Sequence, residues 1–290
     1  MTVFAPTGPV QVTAEVAAVR SAGAYLRLVL SAPDVAPRVR PGHFIAIAVG
    51  GPVTSMLLRR SFSVYRADET GRTGAVEVVF AVHGKGTEWM AALQPGDPLD
   101  VVGPLGRPFA LPRQPVSSVL VGGGYGSAPL FGLADRLRER GCRVHMVLGA
   151  ATDARLFGVP DAERASDTLA VTTEDGSRGH RGRVSDVLPR IIADTGSDVV
   201  YACGPMGMLA AVAQLAEVAG IHSQCAVEES MACGIGVCMT CVLPVIGPDG
   251  LTRMVRSCVE GPVFRGEQVR WSDVGSVPSD AVGAPIVGGH

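Results

Sequence analysis

Lysine is almost absent from this chain. All but one of its 25 basic residues are arginine, and the exception is Lys85. We attribute the arginine bias to genome composition. A surplus of positive charge is also missing, because the formal net charge is −2 at pH 7. The sequence therefore predicts no electrostatic attraction to nucleic acid or to an anionic membrane.

Signals for export or membrane insertion are missing as well. The opening segment MTVFAPTGPVQVTAEV has no basic region followed by an apolar core, so no secretory signal is expected. The most apolar stretch, 199–221, contains Pro205, Gln214 and Glu217, which favours a buried strand and helix over a membrane span. Seven cysteines are an odd number in a chain far larger than a disulfide scaffold. We expect reduced thiols and a cytoplasmic protein.

Hydrophobic patterning divides the 290 residues into four parts. Residues 1–112 carry short alternating or apolar segments between Pro, Gly and Asp turns, which predicts a small antiparallel β-barrel. Residues 113–222 alternate buried strands with helices, which is typical of a parallel sheet in an α/β domain. Residues 223–271 form a small cysteine-containing domain, and 272–290 a poorly ordered tail. The expected fold class is β followed by α/β.

Four cysteines of the third part follow the C-x4-C-x2-C…C spacing of plant-type 2Fe-2S proteins. Three lie on one loop, where Gly234 and Gly236 permit backbone torsions and amide approach that a side chain would obstruct. The following segment VLPVIGPDGLTRMVRS predicts a hairpin that returns the fourth cysteine to the loop. The candidate metal ligands are Cys233, Cys238, Cys241 and Cys258.

Two alternatives to an iron-sulfur cluster remain. A zinc-stapled scaffold without redox activity is one, although structural zinc more often uses two separated pairs of cysteines. Four unrelated thiols are the other. Cys142 and Cys225 fall outside the spacing and are interpreted as small core residues. A 2Fe-2S cluster handles one electron at a time, so the favoured interpretation requires a second group that meets a two-electron donor or acceptor.

The segment LLRRSFSVYRA suggests that second group. Its residues Arg60, Ser61, Phe62 and Ser63 resemble the Arg-x-aromatic-Ser/Thr signature of the ferredoxin reductase superfamily, whose barrel binds FAD. There the guanidinium meets the pyrophosphate, an apolar side chain lines the isoalloxazine, and a hydroxyl, here that of Ser63, reaches toward the flavin N5. An ordinary amphipathic strand with Phe62 inward is the alternative.

The turn GKGT supports a phosphate site in the first part. It separates a strand ending at His83 from an amphipathic helix, whose first amides favour a phosphate and which Thr87 could cap. Lys85 would add positive charge there, and the alternative is a solvated loop lysine.

Two motifs of the second part predict a dinucleotide site. The turn VGGGYGSAPL places Gly122, Gly123, Gly124 and Gly126 between a strand and a helix, as close backbone approach to a dinucleotide requires. The later segment YACGPMGML resembles the Cys-Gly-Pro motif with which the superfamily approaches the nicotinamide. It would place Cys203 and Gly204 near the ring and Met206 at the next helix start. Without the other motifs, Cys203 would be a small buried residue.

To about residue 270, the chain resembles the electron-transfer subunits of NAD-dependent dihydroorotate dehydrogenases. The resemblance rests on the joint order of LLRRSFSV, GKGTEWM, GPLGRPF, VGGGYGSAPL, TTEDGSRGHRGRVSDVL, YACGPMGML, EESMACGIGVCMTC and CVEGPVF. It implies a 2Fe-2S cluster on the four cysteines and an FAD site that includes Arg60–Ser63, Val79, Phe80, Ala81, Gly86 and Thr87.

Two departures from that family concern the flavin and the cluster. The family often has Pro-Ile where this chain has Ser61-Phe62, and the loop before Cys258 is longer than expected. A neighbouring group, the small subunits of NADH-dependent ferredoxin reductases and sulfide dehydrogenases, tends to have Asp at the first ligand position. Cys233 therefore favours the dihydroorotate family.

The resemblance implies a relay in pyrimidine biosynthesis. Electrons would pass from the FMN of a separate catalytic subunit through the cluster and FAD to NAD+, in an assembly of two catalytic and two electron-transfer subunits. An NAD(P)H reductase feeding a ferredoxin, a sulfur acceptor or an oxygenase is the alternative. NAD and NADP are not distinguished, because Asp153 and Glu174 could each lie near the adenosine ribose or be surface acids, with the surface favoured for Asp153.

Overall fold

The computed structural model describes residues 8–51, 54–68 and 73–285. The barrel strands are β1 (Val10–Ala22), β2 (Tyr25–Ser31), β3 (Phe44–Ile47), β4 (Arg60–Ala67), β5 (Ala75–Phe80) and β6 (Pro98–Leu105), with helix α1 (Lys85–Ala91) between the last two. The barrel closes in the order β1-β2-β5-β4-β3-β6, and all its pairings are antiparallel. Alternating side chains such as Leu28 and Leu30 of β2 fill its interior.

The second sheet is built on parallel strands. Its elements in chain order are β7 (Ser117–Gly123), α2 (Ala128–Glu139), β8 (Arg143–Ala150), α3 (Val159–Ala165), β9 (Thr168–Thr173), β10 (His180–Arg181), α4 (Val184–Thr195), β11 (Val199–Cys203), α5 (Met206–Val218) and β12 (His222–Ala226). The spatial order β10-β9-β8-β7-β11-β12 is parallel throughout. One face packs on α2 and α3, and the other on α4 and α5.

The cysteine segment adds a hairpin of β13 (Val242–Ile246) and β14 (Thr252–Arg256), followed by β15 (Val263–Arg265). Strand β15 returns to the parallel sheet and pairs antiparallel with β12. The order of barrel, parallel sheet and C-terminal cysteine domain agrees with the predicted fold class. The predicted domain boundaries stay predictions. Strand β12 spans the boundary that was predicted after residue 222.

Helix α2 joins the barrel to the sheet by packing against β4. The ring of Tyr65 in β4 lies edge-on to that of Phe131 in α2, with centroids 5.7 Å apart. Arg66 pairs with Asp135 across the same contact at 2.7 Å. The carboxyl ends of the parallel strands are therefore held beside one side of the barrel.

Part of the segment predicted to be a poorly ordered tail, residues 280–282, makes specific contacts. The amide of Val282 donates to the Thr252 carbonyl at 2.8 Å, and Ala281 is buried. Asp280 accepts from Arg270 at 2.6 Å. These contacts hold the segment against β14, which was not expected of a loose tail. Residues 286–290 lie outside the described residues.

Among the described residues, no helix has both the length and the apolar character needed to cross a membrane.

Candidate functional site

A cavity of about 900 Å³ lies between the barrel and the carboxyl ends of the parallel strands. We refer to it as the barrel cavity. Strands β4 and β5 and the turn before α1 line one side of it, and the segments after β7, β11 and β12 line the other. Its lining includes every residue predicted to contact FAD: Arg60, Ser61, Phe62, Ser63, Val79, Phe80, Ala81, Lys85, Gly86 and Thr87.

Strand β4 presents the signature residues to this cavity. Ser63 is exposed, whereas Phe62 packs on Phe80 with ring centroids 5.9 Å apart. Phe62 therefore belongs to the edge of the barrel core as well as to the cavity wall. A Cβ on Gly86 would lie 3.1 Å from Arg60 Nε, so the guanidinium lies against the start of α1.

The turn before α1 is closed by Thr87. Its hydroxyl accepts from the amides of His83 and Gly84 at 3.0 and 3.2 Å, and donates to the Gly84 carbonyl at 3.0 Å. The side chain thus caps the helix from its third position, with Gly84 as the N-cap residue. Lys85 is exposed at the cavity edge.

A second cavity, of about 450 Å³, lies over the carboxyl ends of β7, β8, β9 and β11, and we refer to it as the sheet cavity. Three of the glycines predicted to contact a dinucleotide, Gly123, Gly124 and Gly126, line it. Gly122 does not line this cavity. A Cβ there would overlap the Ser127 side chain, so this glycine allows close packing of the turn. Met206 packs with the apolar core under α5.

The two cavities meet at Tyr125, Gly126 and Glu228, which line both. Cys203 and Gly204 line the barrel cavity at this junction. A Cβ on Gly126 would lie 2.8 Å from the Gly204 Cα. The absence of a side chain at Gly126 therefore lets the glycine-rich turn touch the Cys-Gly-Pro segment.

Burial keeps the Cys203 thiol protonated. It raises the pKa of Cys203 well above its ordinary value, and the nearby Glu228 carboxylate adds to the rise. Burial also raises the pKa of Tyr125, again with a contribution from Glu228. The junction thus presents a neutral thiol beside a carboxylate.

Sequence reasoning missed two residues of the junction, Tyr125 and Glu228, and also Tyr25, which lines the sheet cavity beside them. Tyr125 stands against Tyr25 of β2, with ring centroids 5.0 Å apart, and Tyr25 Oη donates to the Arg155 carbonyl at 2.8 Å. Glu228 comes two residues after β12. Tyr125 and Glu228 lie within motifs already quoted, but only the pairing of β12 beside β11 shows that Glu228 reaches the junction.

The four cysteines lie together beside the barrel. Cys241 and Cys258 are buried in an apolar cluster with Phe44, Ala46 and Leu105 of β3 and β6, while Cys233 is half-buried and Cys238 exposed. The amide of Val237 donates to Cys233 Sγ at 3.3 Å, and Thr240 Oγ1 to Cys238 Sγ at 3.1 Å.

The thiols interact mainly in two pairs. Cys238 interacts with Cys233, and Cys241 with Cys258. The Thr240 hydroxyl and neighbouring donors lower the pKa of Cys238 to about 6, whereas burial and Cys241 raise that of Cys258 to about 12. In the described ranges, no three His, Cys, Asp or Glu side chains are arranged to hold one metal ion. Two pairs of sulfurs with amide and hydroxyl donors fit a two-iron cluster, which takes four thiolates.

Two contacts hold the cysteine loop. Gly234 has a φ of +70°, and a Cβ there would lie 3.3 Å from Ser61 Oγ, so the loop rests on the strand that lines the barrel cavity. From the hairpin, Arg256 Nη1 donates to the Gly236 carbonyl at 2.9 Å while Nη2 pairs with Glu260 at 2.7 Å. The loop is thereby fixed between the barrel and β14.

An apolar rim surrounds the exposed Cys238. Ile235, Val237 and Met239 are all exposed, Val237 by 76%. Apolar side chains concentrated around a functional loop are typical of an interaction surface.

Two family models match the chain. Residues 228–270 match the iron-sulfur cluster binding domain of dihydroorotate dehydrogenase B, and residues 120–214 match the oxidoreductase NAD-binding domain. The dihydroorotate dehydrogenase B (NAD+) electron transfer subunit of Bacillus caldolyticus is 39% identical over 83% of this chain and 91% of its own length. That of Desulforamulus reducens is 33% identical over 83% and 90%. This chain belongs to their family.

Solved structures agree with the fold. A structure of an NADH-dependent reduced ferredoxin-NADP oxidoreductase, described in connection with flavin-based electron bifurcation, has a TM-score of 0.78 and 31% identity and covers 91% of both chains. The ferredoxin reductase of carbazole 1,9a-dioxygenase has a TM-score of 0.61 and 23% identity, covers 73% of this chain and 67% of its own, and shows the fold alone. The predicted family and oxidoreductase class are confirmed.

Proposed function

We propose that this chain is the electron-transfer subunit of a dihydroorotate dehydrogenase B. It conducts electrons from the FMN of a catalytic subunit to NAD+ in pyrimidine biosynthesis, in an assembly of two copies of each subunit. The family match supports the identity, and the observation that carries the electron route is the close approach of Gly234 to Ser61. It joins the cysteine loop to the strand that lines the barrel cavity, and that cavity opens at the other end onto the sheet cavity.

The barrel cavity suits FAD, which, when bound, exchanges either one or two electrons and so links a nicotinamide to an iron-sulfur cluster. Arg60 and Lys85 supply positive charge for its pyrophosphate. Phe62, with Val79 and Phe80 from the next strand, provides an apolar wall for the flavin ring. The exposed Ser63 hydroxyl is the candidate hydrogen-bond donor to the flavin N5.

The junction positions the nicotinamide. Gly126 and Gly204 keep the backbone close on both sides, so a ring entering from the sheet cavity meets no side chain from them. Cys203 contributes a neutral thiol to the wall, and the Glu228 carboxylate favours the positively charged ring of NAD+. Exclusion of water by Tyr125 and Tyr25 would protect hydride transfer.

The cysteine loop faces the partner. Cys233, Cys238, Cys241 and Cys258 would hold the 2Fe-2S cluster, with the first two nearest the solvent. The rim of Ile235, Val237 and Met239 would dock on the catalytic subunit. Because electron transfer weakens steeply with distance, docking at this rim gives the shortest route into the chain. No dihydroorotate site is assigned to this subunit, and its cytoplasmic location stays a prediction.

The test is dihydroorotate-dependent reduction of NAD+ by the chain purified anaerobically with its catalytic subunit. We expect turnover in the wild type and its loss in Cys238→Ser, because the cluster then lacks one of its four thiolate ligands. Reduction of the flavin by NADH should survive in the variant. A colourless preparation would contradict the proposal, since zinc gives no visible absorbance and flavin and iron-sulfur both do.

An NAD(P)H reductase that feeds a ferredoxin is the second candidate. It is favoured by the 31% identity and TM-score of 0.78 to the ferredoxin-NADP oxidoreductase structure. Flavin bleaching by NADH without any response to dihydroorotate would support this candidate over the first.

A further inference from the structure

Acidic residues follow two neighbouring strands of the parallel sheet, and the structure places them in different surroundings. Asp153 comes after β8, outside the lining of the sheet cavity, and its carboxylate pairs with Arg178 at 3.3 Å. Its amide donates to Ser177 Oγ at 2.8 Å. Glu174 follows β9 directly and lines the sheet cavity. Only the second acid can therefore meet a ligand of this cavity.

Strand order fixes which part of a dinucleotide reaches Glu174. The nicotinamide end belongs at the junction beside Cys203, at the end of β11. From β11 the order runs through β7 and β8 to β9, a distance of about 14 Å at the usual strand spacing. A dinucleotide that starts at the junction and crosses the carboxyl ends of these strands places its adenosine ribose over β9.

The charges at this end of the sheet cavity are mixed. Arg155 and Arg183 line the cavity together with Glu174, and Glu174 Oε1 lies 3.7 Å from Arg183 Nε. Arginine is the side chain best suited to bind a ribose 2′-phosphate. A carboxylate beside Arg183 neutralises it, repels a phosphate and can accept hydrogen bonds from ribose hydroxyls.

We infer that Glu174 makes this site select NAD over NADP, by accepting the adenosine ribose hydroxyls and by neutralising Arg183, which would otherwise bind the 2′-phosphate. The inference rests on the proposed function, because it assumes that the sheet cavity takes a nicotinamide dinucleotide. Glu174, which follows β9, then provides the selectivity, and Asp153, which comes after β8, contributes none of it.

The test measures binding of NAD+ and NADP+ to the oxidised full-length chain by calorimetry, so that no turnover is needed. In Glu174→Gln we expect the preference for NAD+ to fall by about tenfold or more, which is the range for a hydrogen bond to a charged group. The matched control is Asp153→Asn, which likewise removes one carboxylate beside the same sheet. Its preference should stay within about twofold of the wild type.

A double variant, Glu174→Gln with Arg183→Gln, separates the two parts of the inference. It should lose the NADP+ affinity gained by the single variant while keeping the weakened NAD+ binding. An unchanged preference in Glu174→Gln, or an equal shift in Asp153→Asn, would overturn the inference while leaving the proposed function intact. A wild-type chain that binds neither nucleotide would overturn both.

Discussion

His43 is the titratable side chain whose environment most clearly links pH to stability. It precedes β3, and its Nδ1 accepts a hydrogen bond from the Arg40 amide at 3.0 Å. Burial, and then the positive charge of Arg40, lower the pKa of His43 from 6.5 to about 4. The folded protein therefore binds this proton less readily than the unfolded chain does.

We predict that acidification destabilises the protein through this residue. The stabilisation is complete above pH 6.5 and is lost as the pH falls toward 4. Between pH 7.5 and 5, His43 should lower the free energy of unfolding by about 2 kcal/mol. Urea unfolding of the wild type and His43→Gln at both pH values isolates this effect. Equal pH dependence in the two proteins would contradict the prediction.

At the scale of elements, the glycine-rich turn after β7 and the Cys-Gly-Pro segment after β11 depend on each other. A Cβ on Gly126 would lie 2.8 Å from the Gly204 Cα, and a Cβ on Gly204 would lie 3.0 Å from the Gly123 Cα, so neither position has room for a side chain. Since each segment follows the carboxyl end of its strand, their contact sets the width of the junction between the two cavities.

We predict that Gly126→Ala misplaces the nicotinamide without emptying the flavin site. The new Cβ would lie 2.8 Å from the Gly204 Cα, so the backbone must shift. Displacement on this scale should raise the KM for NADH by roughly tenfold in a dye-reduction assay. The control is Gly132→Ala on α2, where the added Cβ would have no neighbour closer than 3.7 Å. An equal KM in both variants would refute the role of the contact.

The elements differ in how far the sequence could predict them. Cysteine spacing is local, so Cys233, Cys238 and Cys241 could be found without any knowledge of the fold. Glu228 could not be assigned to the junction, because its position depends on the pairing of β12 beside β11. Strand β15 was missed for the same reason, since its three residues are too short a pattern and their partner lies some forty positions earlier. Ligands that are close in the sequence could be predicted, whereas pairing between distant strands could not.

On the scale of the whole molecule, the apolar rim around Cys238 is the surface that we assign to the catalytic subunit. Its three exposed side chains come from one loop that two contacts hold in place, so the free chain should already present the rim in its docking form. We therefore expect a charge introduced into the rim to weaken binding of the catalytic subunit and to leave reduction of the flavin by NADH unchanged.

We predict that Val237→Asp weakens binding of the catalytic subunit by about tenfold or more, because a carboxylate would be desolvated in the interface. Reduction of a dye by NADH should be unchanged. The matched control is Val218→Asp at the end of α5, where the side chain is 81% exposed. Size-exclusion titration of the two variants compares them directly. A similar loss of binding in both variants, or no loss in either, would place the interface elsewhere.

The cysteine segment leaves the parallel sheet at β12 and rejoins it at β15, which is the neighbour of β12. A segment attached at one end could swing between donor and acceptor, as a tethered carrier does. Attachment at two adjacent points, with a loop that also rests on the barrel, removes that freedom. The cysteine segment therefore holds its place between the barrel and the sheet, and a catalytic subunit docked at the rim meets the four cysteines at a fixed position in this chain.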